Sequence, residues 1–177
     1  MEKFSEAGRI RTWKAKSFFQ SENIPQAVEH YLAASKFFTV DKMPMPAISC
    51  LRHAAEMLCK VRKYVNAAEL YAEIGKKELE GHSIELQACE SFFISILLFL
   101  AHGSCGDLPM IKERLRSFTE ADILFRNSPQ NDFVQKLMES KDTQTFSFHV
   151  YEYCFLHDVD VLTLDIMDVI QQQIQPN

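Results

Sequence analysis

An internal repeat constrains this chain more than any other feature. Pro25-Gln26-Ala27-Val28-Glu29-His30-Tyr31 aligns with Val65-Asn66-Ala67-Ala68-Glu69-Leu70-Tyr71 at an offset of 40 residues. Ala27, Glu29, Tyr31 and Lys36 meet Ala67, Glu69, Tyr71 and Lys76, and at the same offset Trp13, Ala15 and Phe18 fall over His53, Ala55 and Leu58. A period near 40 built from two amphipathic helices is a unit that cannot bury its apolar face alone and does so by stacking on its neighbours. Within the unit, the small residue at Ala27 and Ala67 lets the second helix approach the first closely. The aromatic one turn later, Tyr31 or Tyr71, fills the space between adjacent pairs.

Helical periodicity extends along the chain. Arg9 to Ser21 places Ile10, Trp13, Ser17 and Phe18 on one face, and the repeat predicts that Trp13 packs inward. Further helices are predicted at about 26–39, 46–62 and 65–78. A very apolar fifth runs from Ser83 to His102, and a sixth from Asp107, as cap, to about Phe118. A weak segment spans Ala121 to Arg126, and three more helices start near Pro129, Thr143 and Asp160. No strand alternation persists beyond a few residues. The chain therefore reads as all-α, a tetratricopeptide-like helical solenoid.

Composition agrees. There are only 5 glycines in 177 residues, against 14 phenylalanines. So few glycines argue against a turn-rich sandwich or a Gly-rich phosphate cradle. They also imply that the turns between helices seldom need a special backbone, with Gly81, Gly103 and Gly106 at the predicted helix boundaries. The ten-residue apolar run from Phe92 to Ala101 is about half of what a bilayer crossing requires, so it reads as a buried helix. The charged start, Met1 to Gln20, is unlike a signal peptide. An odd set of cysteines, Cys50, Cys59, Cys89, Cys105 and Cys154, with no Cys-x-x-Cys spacing, predicts free thiols and a reducing, cytoplasmic compartment.

Charge is divided along the chain, although the total is only -5 and gives no reason to expect nucleic acid. Residues 1–20 hold Lys3, Arg9, Arg11, Lys14 and Lys16 against Glu2 and Glu6, a net of +3. Residues 139–177 hold Glu139, Asp142, Glu152, Asp158, Asp160, Asp165 and Asp168 against Lys141, a net of -6. Two surfaces with opposite preferences follow from that division.

Catalytic constellations are weak. His102 and Cys105 stand three apart but have no second pair to complete a metal site. Nothing selects one of Cys59, Cys89 or Cys154 as a nucleophile with a particular histidine. Asp158-Val159-Asp160-Val161 lacks the central glycine and distal glutamate of a calcium loop. The Phe pairs 18–19, 37–38 and 92–93 read as core at helical spacing rather than as a ligand pocket. No catalytic residue, metal or cofactor is therefore expected.

Several stretches together resemble one family. Ile24 to Tyr31, Cys50-Leu51 to Tyr64, Ala68 to Gly75, Cys89-Glu90-Ser91-Phe92-Phe93, Glu139 to Phe146 and Tyr151-Glu152-Tyr153 are similar, in order and spacing, to the soluble attachment proteins of vesicle fusion, the SNAP family. The resemblance covers the C-terminal two-thirds of the family, from about Arg9 to Ile174. It implies a right-handed antiparallel helical-repeat solenoid over residues 1–126 that ends in a small C-terminal helical bundle, 127–177, packed on the repeats as one continuous unit. It also implies an adaptor between SNARE complexes and the N-ethylmaleimide-sensitive fusion ATPase, cytoplasmic and at most peripheral on membranes. In that scheme Arg9, Arg11, Lys14 and Arg52 attract the acidic SNARE bundle, and Asp158, Asp160, Asp165 and Asp168 form the ATPase-facing end. Ser49 and His53 stand where family members carry lysine. The alternative is a helical scaffold subunit held within a large partner, as in the huntingtin-associated adaptor, with no SNARE role.

Overall fold

A computed structural model describes residues 3–81, 85–103 and 107–174. Within them the chain forms ten helices and no strand: α1 (Lys3–Gln20), α2 (Ile24–Val40), α3 (Pro44–Lys60), α4 (Tyr64–Glu80), α5 (Glu85–His102), α6 (Leu108–Ala121), α7 (Ile123–Arg126), α8 (Pro129–Glu139), α9 (Thr143–Leu156) and α10 (Val161–Gln173). Two compact units result, Met1–Ile84 and Glu85–Asn177. The predicted opening of the fifth helix at Ser83, and the turn containing Cys105 and Gly106, lie outside the described residues.

In the first unit each helix packs on the next, α1 on α2, α2 on α3 and α3 on α4, which is the serial neighbour contact of a helical repeat. The repeat positions behave alike. Ala15, Ala55, Ala27 and Ala67 are all fully buried, Tyr31 and Tyr71 are buried, and Glu29, Glu69, Lys36 and Lys76 face solvent. Alanine dominates the contact: Ala15, Ala27, Ala34, Ala47 and Ala54 form the core with Tyr31, Phe38, Cys50 and Met57. Small side chains there bring helix axes close together. Gly8 extends that contact on α1, since a Cβ at this position would lie 3.0 Å from the Phe38 ring.

This packing reverses the expectation for Trp13. The inward face of α1 runs through Gly8, Ala15 and the half-buried Phe18, while Ile10 and Trp13 are 51% and 69% exposed. The repeat equivalence itself holds, because His53 is exposed as well. The helix packs through its smallest residues and leaves its largest outside.

The turns also differ from expectation. Glu22, Lys42 and Arg62 all adopt the left-handed conformation, with φ of 59°, 56° and 56°, whereas no described glycine has a positive φ. After each, the N–H of Asn23, Met43 or Lys63 donates five residues back to the carbonyl of Phe18, Phe38 or Leu58, each at 2.9 Å. This is a Schellman closure repeated every 20 residues, made without its usual glycine. The turns therefore do need a special backbone, and charged residues provide it.

The second unit is built around α5, whose stretch from Phe92 to Phe99 is buried throughout. α6, α7, α8 and α10 pack against it. Phe92 stacks on Phe118 with centroids 4.5 Å apart and meets Phe125 at 5.9 Å. Phe93 contacts Phe133 and Tyr153, which stack on one another at 4.1 Å. Of the phenylalanine pairs, 92–93 and Phe38 are core, while Phe19 is partly exposed beneath the Lys60 ammonium. Asp122, Ser128, Asp142 and Asp160 cap α7 to α10 by accepting a first-turn N–H. Asp107 stands at the cap position of α6 but makes no side-chain capping bond, contrary to expectation. No helix among the described residues is long and apolar enough to cross a membrane.

Candidate functional site

The four cations singled out in the sequence occupy different situations. Arg9 lies on the exposed side of α1, in line with Trp13 and Lys16 at successive helical turns. Arg11 is half-buried on another side, and its Nη1 lies 2.9 Å from His30 Nδ1. A guanidinium only donates, so Nδ1 accepts and the imidazole is neutral. Burial is the main cause that pulls the His30 pKa down, with the Arg11 and Lys14 charges adding to it and Glu29 opposing. The Phe18 ring stacks on the imidazole at 5.2 Å, which seals this α1–α2 contact. Lys14 is exposed near that pair.

Arg52, on α3, donates from Nη2 to Glu78 Oε1 on α4 at 2.7 Å. Glu78 is wholly buried, and Arg52 is about one-third exposed at 31%. A carboxylate in that position requires the partner charge. The structure therefore brings Arg11 and Lys14 together beside His30, sets Arg9 on a separate face, and engages Arg52 in an internal ion pair.

The acidic set divides as well. Asp160 caps α10, accepting from the Thr163 backbone N–H at 3.0 Å and from its hydroxyl at 2.9 Å. Asp158 and Asp160 line a polar cavity of about 160 Å³ with Glu90, Gln130, Tyr153 and His157. Asp165 and Asp168 stand exposed one turn apart on α10. Exposed acids at 158, 165 and 168 give this end of the second unit a negative surface, while Asp160 is committed to the fold.

Thiol chemistry is disfavoured by environment. Cys50, Cys59 and Cys89 are buried free cysteines, and burial raises all three, Cys59 and Cys89 to about 12. For Cys89 the adjacent Asp122 carboxylate, 3.8 Å away, adds to the effect. A thiol held protonated in this way is a poor nucleophile. No group of three His, Cys, Asp or Glu side chains among the described residues is placed to hold a metal ion. The groups that sequence reading missed are the buried polar ones, His30, Glu78 and Asp122, together with an outward aromatic row on α9. That row is visible in the sequence as Phe148, Tyr151 and Phe155 at i, i+3 and i+7.

The geometry is thus that of a protein whose chemistry lies on its surfaces. A search of curated proteins finds no match to the chain. The family model described as soluble NSF attachment protein, SNAP, matches residues 1–175. With nearly the whole chain matched and an all-helical fold of serially packed neighbours, the chain belongs to the soluble NSF attachment protein family.

Proposed function

We propose that this protein is a non-catalytic adaptor in vesicle-mediated transport, linking SNARE complexes to the ATPase that disassembles them. Family membership supports the role in general terms. The observation that carries the specific reading is the division of exposed charge: Arg9 and Lys14 on α1, and Asp158, Asp165 and Asp168 at the other end of the chain. In this reading Arg9, Arg11, Lys14 and Arg52 attract an acidic helical bundle. Arg9 and Lys14 contribute most, because Arg11 and Arg52 already hold His30 and Glu78. The acids meet a basic surface of the ATPase. Residues 1–126 act as the repeats and 127–177 as the closing bundle, and the protein works in the cytoplasm, at most peripherally on membranes.

Exposed charge pairs contribute under about 1 kcal/mol each, so recognition needs several together and weakens with salt. Capture of an assembled SNARE bundle by the full chain at low and high salt tests the reading. Salt-sensitive binding that Arg9→Glu with Lys14→Glu abolishes supports it, and no salt-sensitive binding at any concentration overturns it. A second reading, a scaffold subunit held within a large partner, is favoured by the engagement of two of the four cations inside the fold. A large co-purifying protein in the absence of SNARE binding would decide for it.

A further inference from the structure

One cavity of the second unit holds more acid than the fold uses. It opens where α5, α8 and the α9–α10 connection meet, with Glu90, Gln130, Tyr153, His157, Asp158 and Asp160 on its walls and a volume of about 160 Å³. No lysine or arginine lines it. Phe93 and Tyr153 are buried and form its floor, whereas Asp158 and Asp160 are exposed at its mouth. Asp160 is already engaged by Thr163, and Asp158 makes no ion pair among the described residues.

Acidic residues at a mouth alone describe a solvated surface, but the floor points to a ligand. Tyr153 is only 8% exposed. Phe133 stacks on its ring at 4.1 Å and His157 lies 4.6 Å from it, so packing holds the ring in place. Among the described residues its hydroxyl has no hydrogen-bond partner, and it opens into the cavity. Burial chiefly, with the Glu90 and Cys154 charges adding to it, pushes the Tyr153 pKa up, so the hydroxyl lies on the side where Glu90 is felt. A buried hydroxyl with no partner is costly unless a bound group satisfies it.

The walls select that group. Carboxylates without a facing cation call for positive charge, and no group of three His, Cys, Asp or Glu side chains among the described residues is placed to hold a metal ion. The acceptors are spread around an aromatic floor. A guanidinium suits this better than an ammonium, because it carries five N–H donors in one plane and its faces lie well on aromatic rings. A free amino acid would also bring a carboxylate, for which the cavity offers no cation. An arginine side chain within a polypeptide brings none.

We propose that this cavity is a socket for one arginine side chain of a protein partner, with the guanidinium bonded to Glu90, Tyr153 and Asp158. Asp160, held by Thr163, adds attraction at the mouth. That the partner is the disassembly ATPase rests on the reading above, whereas the socket itself does not.

Titration of the full chain with N-acetylarginine amide, followed by backbone amide NMR, tests this. The expected result is saturable shifts at residues 153, 158 and 160 with a roughly millimolar Kd. N-acetylcitrulline amide, its neutral counterpart, should produce none. Tyr153→Phe keeps the ring and removes the hydroxyl, and Asp158→Asn changes an exposed side chain. Each should weaken binding about fivefold while the helical spectrum stays unchanged. Absence of saturable shifts overturns the proposal, as does an equal response to the citrulline probe or binding that both substitutions leave intact. A chain that binds the arginine probe but captures no ATPase keeps the socket and removes the reading above. ATPase capture by a chain that does not bind the probe keeps that reading and overturns the socket.

Discussion

Arg52 on α3 and Glu78 on α4 form an ion pair at 2.7 Å in which the carboxylate is fully buried and the guanidinium reaches solvent. The dependence is one-sided, because the arginine could be solvated without its partner and the glutamate could not. Arg52→Ala should destabilise the first unit by about 3 kcal/mol, near the lower end for a broken buried pair because Arg52 is partly exposed. Chemical denaturation followed by circular dichroism measures this. A loss below about 1 kcal/mol would mean that Glu78 is held without Arg52.

His30 makes the α1–α2 contact sensitive to acid. Its pKa lies below the ordinary 6.5 in the folded chain, so on acidification the unfolded chain takes up the proton first. The stabilisation is complete above 6.5 and declines as pH falls from there toward the folded value. Melting temperatures between about pH 8 and about pH 5 should drop, and His30→Gln should flatten that slope. An equally steep slope in the variant would show that other groups govern it.

The three left-handed turns can be improved. A residue with a Cβ is strained at φ near +57°, and glycine is not, although glycine costs more to order from the unfolded chain. Glu22→Gly, Lys42→Gly and Arg62→Gly should each raise stability by roughly 0.5 kcal/mol, and the three should add because the sites are well separated. Urea midpoints of the single and triple variants provide the measurement, and a triple variant less stable than the parent would contradict the strain argument.

The two faces of α1 should respond oppositely to mutation. Trp13→Ala should change stability by no more than about 0.5 kcal/mol, as expected for an exposed position. Ala15→Leu should cost about 2 kcal/mol or more by overfilling the α1–α2 contact. Thermal denaturation of both variants distinguishes this arrangement from one in which Trp13 packs inward.

The starts of most helices were legible in the sequence, since Pro25, Pro129, Thr143 and Asp160 stand at or beside them through local chemistry that tertiary contacts do not override, whereas α3 begins at Pro44 rather than at the expected Pro46. The repeat was legible for the same reason that it exists: Ala27 and Ala67, Tyr31 and Tyr71 occupy equivalent packing environments. The face of α1 was not, because hydrophobic periodicity weights Trp13 above Ala15 and Gly8, whereas close helix packing selects the small residues. The turn backbone at Glu22, Lys42 and Arg62 left no mark because composition seeks glycine there. For the candidate surfaces, the positions of the charges could be read, but their availability could not. That Arg11 holds His30 and Arg52 holds Glu78 depends on partners 19 and 26 residues away, brought close only by folding.

The outward position of Trp13 has a practical meaning. It is the chain's single tryptophan, and it stands in water on the same side of α1 as Arg9 and Lys16. Its emission should already be red-shifted in the native state and should barely respond to denaturant. A ligand that covered this side of α1 would shift the emission to the blue. The protein thus contains an unlabelled optical reporter that is nearly silent to unfolding and responsive to occupancy.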